Sequence, residues 1–88
     1  MNSLIAYIKY KIYGFTNKKP IDENSNDDIY SIRFDHYLLS IMMNTEMQYM
    51  LILHNLMNDN ELITIATRSS VYDRIDEIFN IIYIYHDI

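Results

Sequence analysis

Apolar residues recur at helical spacing at both ends of the chain and form a nearly unbroken run in the middle. Leu4, Ile8 and Ile12 lie four residues apart, which places them on one face of a helix. The C-terminal segment repeats this spacing, and its apolar stripe comprises Val71, Ile75, Ile78, Phe79, Ile82 and Tyr85. The pattern predicts helices over about residues 3–13 and 70–86.

The central run, residues 37–57, contains 14 apolar or tyrosine residues and five of the six methionines. Its longest stretch without a polar residue is Tyr49–Leu53, which is far short of the ~18 residues that a membrane-spanning helix needs. Polar residues at 44–46 interrupt the run. We therefore predict two helices, about 29–43 and 46–57, of which the second is apolar on all sides and lies in a core or an interface.

Two segments complete the expected fold. Asn58, Asp59 and Asn60 mark a break, after which we predict a short helix over about 61–67. The β-branched stretch Leu62–Ile65 leaves a strand open as the alternative. Residues 16–28 are almost entirely polar and predict a flexible linker. The sequence thus predicts one all-α domain over residues 1–88, a bundle of four to five helices with a polar loop at 16–28.

The net charge of −5 is unevenly distributed. The first 20 residues carry four lysines and no acid, whereas residues 21–88 carry three arginines against all twelve acids. Because an acidic body repels phosphate backbones, we expect no nucleic-acid partner. The chain has no cysteine, which excludes disulfides and thiolate metal sites and favours an intracellular, cytoplasmic location.

No arrangement of residues indicates catalysis or a cofactor. The three histidines, His36, His54 and His86, are not at metal-ligand spacing. A single glycine leaves no phosphate-binding loop, and residues 22–33 lack the central glycine and final glutamate of a calcium-binding loop. We therefore expect a protein that is not an enzyme and binds no cofactor or metal.

The methionine-rich run favours binding to another protein. Methionine adapts to irregular partners and is over-used at hydrophobic grooves, and ordinary core packing is the more common explanation for such a cluster. The expected function is protein interaction or regulation, with a protein partner or self-association as a homodimer. The expected partner-binding residues are Met43, Met47, Met50, Leu51, His54 and Met57.

Two alternatives remain open from the sequence. The basic aromatic first helix predicts weak contact with an anionic membrane surface through Tyr7, Lys9, Tyr10 and Lys11, or simple docking on the acidic body. The other alternative is a truncated fragment with no independent function.

The composition bears on the source of the chain. It has 16 isoleucines, 9 asparagines and 9 tyrosines, but only 2 alanines. Residues with AT-rich codons are therefore favoured. This resembles small proteins of large DNA viruses such as poxviruses, and also proteins of AT-rich protists, bacteria and phages. The resemblance implies a viral protein that acts on host signalling or cell death.

Overall fold

Two helices flank five consecutive strands in the computed structural model, which describes residues 2–26 and 28–86. The side chains of residues 85 and 86 lie outside the described part. The elements in chain order are α1 (Asn2–Thr16), β1 (Asp22–Ser25), β2 (Ile29–Phe34), β3 (Tyr37–Met43), β4 (Tyr49–Asn55), β5 (Asn60–Ala66) and α2 (Val71–His86).

The strands form one antiparallel sheet in which each strand pairs with the next along the chain, in the order β1-β2-β3-β4-β5. Tyr7 of α1 contacts Tyr72 at the start of α2, and Phe15 contacts Tyr83 near its end, with ring centroids 5.1 and 5.2 Å apart. The two helices therefore run in the same direction, side by side. They cover one face of the sheet, which we call the inner face.

The core lies between the helices and this inner face. Leu4, Ile8 and Ile12 are buried from α1, and alternate residues of β2, β3 and β4 are buried beneath them. The remaining buried side chains are Tyr30, Ile32, Phe34, Tyr37, Leu39, Ile41, Tyr49, Leu51, Leu53, Ala66, Val71, Ile75, Ile78, Phe79 and Ile82. Every buried side-chain nitrogen and oxygen among the described residues has a hydrogen-bond partner. Burial of apolar surface is thus what holds the layers together.

The predictions of the first and last helices are confirmed. The residues at four-residue spacing in α1 are buried, as are five of the six members of the C-terminal stripe; Tyr85, the sixth, lies outside the described side chains. Helix α1 extends past Gly14 to Thr16, and Asn17 follows it in the left-handed conformation at φ 55°. The Asn17 N–H donates to the Tyr13 carbonyl at 2.8 Å, which ends the helix as a glycine commonly would.

The all-α prediction is wrong. The helices predicted over 29–43, 46–57 and 61–67 are strands β2 to β5 of a five-stranded antiparallel sheet. For Leu62–Ile65, the strand that the sequence left open is the structure observed. In β3 and β4, buried and half-buried residues alternate along the chain. Because the half-buried residues are also largely apolar, the two-residue period is hidden in the sequence and the run resembles a helix that is apolar on all sides.

Polar residues that were expected to start or separate helices form hairpin turns instead. The Asn44 side-chain oxygen accepts hydrogen bonds from the backbone N–H groups of Glu46 and Gln48, at 3.0 and 2.9 Å. Between β4 and β5, Asn58 accepts from the backbone N–H of Asn60 at 3.1 Å. The same side-chain-to-backbone hydrogen bonding that caps a helix also closes a turn. These residues therefore show where one element ends, but not whether a helix start or a hairpin turn follows.

The linker predicted at 16–28 contains β1, all four residues of which are exposed. Its backbone pairs with β2, where Glu23 lies opposite Ile32. The prediction of a polar loop over this whole segment is therefore wrong, whereas its flexibility stays a prediction. Because β1 is short, polar and preceded by Pro20, this edge of the sheet is poorly suited to pairing with a further strand.

Candidate interaction surface

The face of the sheet opposite the helices carries a continuous apolar surface. We call it the outer face. Its apolar residues alternate with buried residues along β2, β3 and β4, and strand pairing extends the surface onto β5. These apolar residues are Ile29, Leu38, Met42, Met50, Ile52, Ile63 and Ile65. None of the elements in the described part of the chain covers them.

Strand register arranges the outer face in three rows that run across the sheet. The first row is entirely apolar: Ile29, Met42, Met50 and Ile65. The second is polar on one side and apolar on the other: Ser31, Ser40, Ile52 and Ile63. The third is largely charged or titratable: Arg33, Leu38, His54 and Glu61. The apolar area thus lies at one end of the strands and the ionic groups at the other.

Exposure on the outer face increases toward the β5 edge. Ile63 and Ile65 are 56% and 54% exposed, while Met50 and Ile52 in the middle of the sheet are half-buried by neighbouring side chains. Strand β5 has an unpaired edge and only one charged residue, Glu61. In other proteins, large contiguous apolar surfaces of this kind often mark sites of association, so the outer face is the candidate interaction surface.

Charged groups at the third row are partly engaged within the chain. One ring nitrogen of His54 (Nε2) lies 2.7 Å from the Asp59 carboxylate, and the other (Nδ1) lies 3.2 Å from that of Glu61. Arg33 is exposed, and its guanidinium forms no ion pair with any residue in 2–26 or 28–86, although Asp22 lies opposite it on β1. The third row therefore offers an unpaired cation at β2 and a carboxylate at β5.

The lysines of α1 bind acidic groups of the body. Lys11 Nζ lies 3.0 Å from the Asp76 carboxylate of α2, to which the Tyr7 hydroxyl also donates a hydrogen bond. The hydrogen bond from Tyr7, followed by that from Lys11, lowers the pKa of Asp76. The expectation that the first helix docks on the acidic body is confirmed.

A second cluster of this type joins α1 to the sheet. Lys9 Nζ lies 2.8 Å from the Glu23 carboxylate, which also accepts from the Tyr30 hydroxyl at 3.1 Å. The hydrogen bond from Lys9 lowers the pKa of Glu23, and burial raises that of Tyr30. Of the four predicted membrane-contact residues, Tyr7, Lys9 and Lys11 therefore have partners within the chain, while Tyr10 is 72% exposed. Membrane contact stays a prediction.

The six predicted partner-binding residues do not share one face. Only Met50 and His54 lie on the outer face, whereas Leu51 is fully buried on the inner face. Met43 packs against the core, and Met47 and Met57 lie in the two hairpin turns, 63% and 78% exposed. The structure therefore brings two of the six together, and their binding role stays a prediction.

Sequence reasoning missed the rest of the outer face. The three helices predicted over 29–43, 46–57 and 61–67 give no reason to group the apolar residues Leu38, Met42, Ile52, Ile63 and Ile65 on one surface. In the sequence, most of these residues are adjacent to a residue that is buried on the inner face, as Ile52 is adjacent to Leu51. This alternation is the signal that identifies them. This alternation becomes recognisable only once the residues at 44–48 and 56–59 are treated as turns.

A cleft of about 770 Å³ opens between the C-terminal half of α2 and the adjoining ends of β4 and β5. Its lining includes His36, Asn55, Glu61, Leu62 and Ile84. The described residues contain no group of three or more histidines and acids that could hold a metal ion.

Neither α1 nor α2, as far as they are described, is long and apolar enough to cross a membrane. No protein-family model, curated protein or solved structure matches this chain.

Proposed function

We propose that this protein is a non-enzymatic interaction or regulatory domain whose protein partner binds the outer face. The observation that carries the proposal is the uncovered apolar area around Ile52, which spans four strands and has charged groups at one end. A protein partner fits this surface because a flat sheet face buries apolar area against another flat surface, whereas small molecules need concave sites. The absence of cysteine supports a reducing compartment such as the cytoplasm.

Folding of the protein does not require the apolar residues of the outer face. The inner face alone supplies the buried core, so the apolar residues of the outer face are not needed to seal it. Exposed isoleucines lower solubility and favour association of sheet surfaces. Their presence over four strands is explained if a partner covers them.

Site-specific photo-crosslinking tests the proposal. A photoreactive phenylalanine analogue at Ile52 is expected to form a protein crosslink in cells that produce the protein. The matched control places the same group at Tyr10 on α1, which is more accessible than Ile52 but lies on the helical side. A crosslink at Ile52 and none at Tyr10 supports the outer face. Equal crosslinking at both positions, or crosslinking at Tyr10 alone, contradicts it.

A further inference from the structure

We propose that the partner on the outer face is a second copy of this chain, related by a two-fold axis that lies in the interface and runs parallel to the strands. This inference rests on the proposed function and names the partner for the same surface. The two sheets would pack face to face as an aligned sandwich, about 10 Å apart, with their strand directions within about 30° of each other.

The distribution of the three rows selects the direction of the axis. An axis perpendicular to the strands would place the apolar first row of one copy over the charged third row of the other. Ile29 would then face Arg33 of the second copy, which would bury a charge against apolar surface. An axis parallel to the strands keeps each row over its own counterpart and reverses the strand order, so that β2 faces β5.

This arrangement matches apolar groups with one another along the first row. Met42 on β3 faces Met50 on β4 of the second copy, and Ile29 on β2 faces Ile65 on β5. In the second row, the small residues Ser31 and Ser40 face isoleucines on β5 and β4. Small side chains opposite large ones allow the two surfaces to interdigitate.

The same arrangement brings the unpaired cation of the third row to a carboxylate. Arg33 on β2 faces Glu61 on β5 of the second copy, and the symmetry repeats the contact. Arg33 forms no ion pair within the described part of its own chain. Glu61 has the side chain of His54 beside it, at 3.2 Å. Two arginine–glutamate pairs then flank one end of the interface, where they specify orientation more than they add affinity.

The size of the surface indicates a weak, reversible dimer. Four strands about 4.8 Å apart and about 20 Å long have a flat footprint of about 400 Å² per copy. Two copies bury at least about 800 Å² of this flat area, and protruding side chains add to it. The total approaches the lower range of specific interfaces. We therefore expect a dimer that dissociates on dilution.

Charge exchange tests this geometry. The Arg33→Glu variant places a carboxylate opposite Glu61 of the second copy, and the Glu61→Arg variant places a guanidinium opposite Arg33. Each variant alone is expected to weaken its own dimer at least about tenfold, because like charges then face each other twice. In a dimer of one variant with the other, every facing pair is again of opposite charge. Sedimentation equilibrium of the mixture should therefore show restored dimer formation.

The control uses Arg68→Glu, which makes the same charge change in the turn before α2, away from the outer face. Alone, Arg68→Glu should dimerise like the wild type. Its mixed dimer with Glu61→Arg has the same net charge as the complementary one, but one arginine still faces an arginine. A fluorescently labelled Glu61→Arg chain should therefore bind Arg33→Glu more tightly than Arg68→Glu. All three substituted residues are exposed, so each variant is expected to fold, and far-ultraviolet circular dichroism checks this.

Three results would overturn the proposal. One is a wild-type chain that stays monomeric at millimolar concentration. Another is a dimer that neither charge variant weakens, which would point to pairing through the β5 edge. The third is binding of labelled Glu61→Arg to Arg68→Glu as tight as to Arg33→Glu. If the chain is monomeric while Ile52 crosslinks to a different protein, the self-association is wrong and the proposed function stands.

Discussion

Leu51 and Ile52 are adjacent in the sequence and lie on opposite faces of β4, so substituting each one separates the inner face from the outer face. Leu51 is fully buried, and its strand neighbours across the sheet are Ile41 and Thr64. Ile52 is half-buried and has no helix over it. We expect Leu51→Ala to destabilise the fold strongly and Ile52→Thr to leave it nearly unchanged.

The expected losses in the free energy of unfolding follow from how deeply Leu51 and Ile52 are buried. A Leu→Ala change in a packed core costs about 2.7–5 kcal/mol, since it removes apolar contacts and leaves a cavity. A domain of this size has a free energy of unfolding of about 4–13 kcal/mol, so Leu51→Ala removes a large part of it. Ile52→Thr keeps the β-branch and replaces an ethyl group, which water already partly reaches, by a hydroxyl, which is expected to cost less than about 1 kcal/mol.

Urea denaturation followed by circular dichroism measures both effects, at a protein concentration low enough for the monomer. With a slope of about 1.5 kcal/mol per molar, Leu51→Ala should lower the midpoint by about 2–3 M and Ile52→Thr by less than about 0.7 M. Comparable losses for the two variants would refute the alternation of faces, because they would place both side chains in equally buried surroundings.

Three further predictions concern local features and are measured by urea denaturation. Gly14→Ala should stabilise the protein by about 0.5–1 kcal/mol, because Gly14 lies within α1 and an added Cβ would come no closer than 4.0 Å to the Tyr83 hydroxyl, its nearest neighbour; a loss of stability would contradict this. Met47→Gly should stabilise by up to about 1 kcal/mol, since Met47 has φ 62°, and an unchanged midpoint would count against strain in this turn. Asp76→Asn should cost about 0.5–1 kcal/mol at pH 7, after allowance for solvent screening. The lowered pKa of Asp76 means that its carboxylate stabilises the fold above about pH 4, and that this contribution is lost as the pH falls through the folded-state pKa. The difference between Asp76→Asn and wild type should therefore shrink toward about pH 2, and a difference independent of pH would contradict the role of Asp76.

The terminal helices could be predicted from the sequence because each has one apolar face and one polar face. In α1, Leu4, Ile8 and Ile12 are buried while Tyr10 and Tyr13 are exposed, so the period of about 3.6 residues is visible. Both helices cover the sheet from one side only, and their outward residues are mostly polar or aromatic, although Ile81 and Ile84 of α2 are also exposed.

The strands could not be predicted because the outer face is apolar as well. In β4, Met50 and Ile52 occupy positions that would be polar on a sheet face exposed to water. The apolar character of the outer face that hides the strands in the sequence is also the basis of the proposed interaction surface. The predicted partner-binding set falls in the same region of the chain but could not separate Met50 from Leu51, which the pleat of the strand places on opposite faces.

The exposure of the methionine methyl groups tests most directly whether the outer face is the interaction surface. In a chain labelled at the methionine methyls, a soluble paramagnetic agent broadens the resonances of exposed groups. On self-association, Met42 and Met50 should become protected as the concentration rises, while Met47 and Met57 in the turns stay accessible. If Met47 and Met57 become protected instead, or if Met42 and Met50 remain accessible when the partner is bound, the outer face is not the interaction surface.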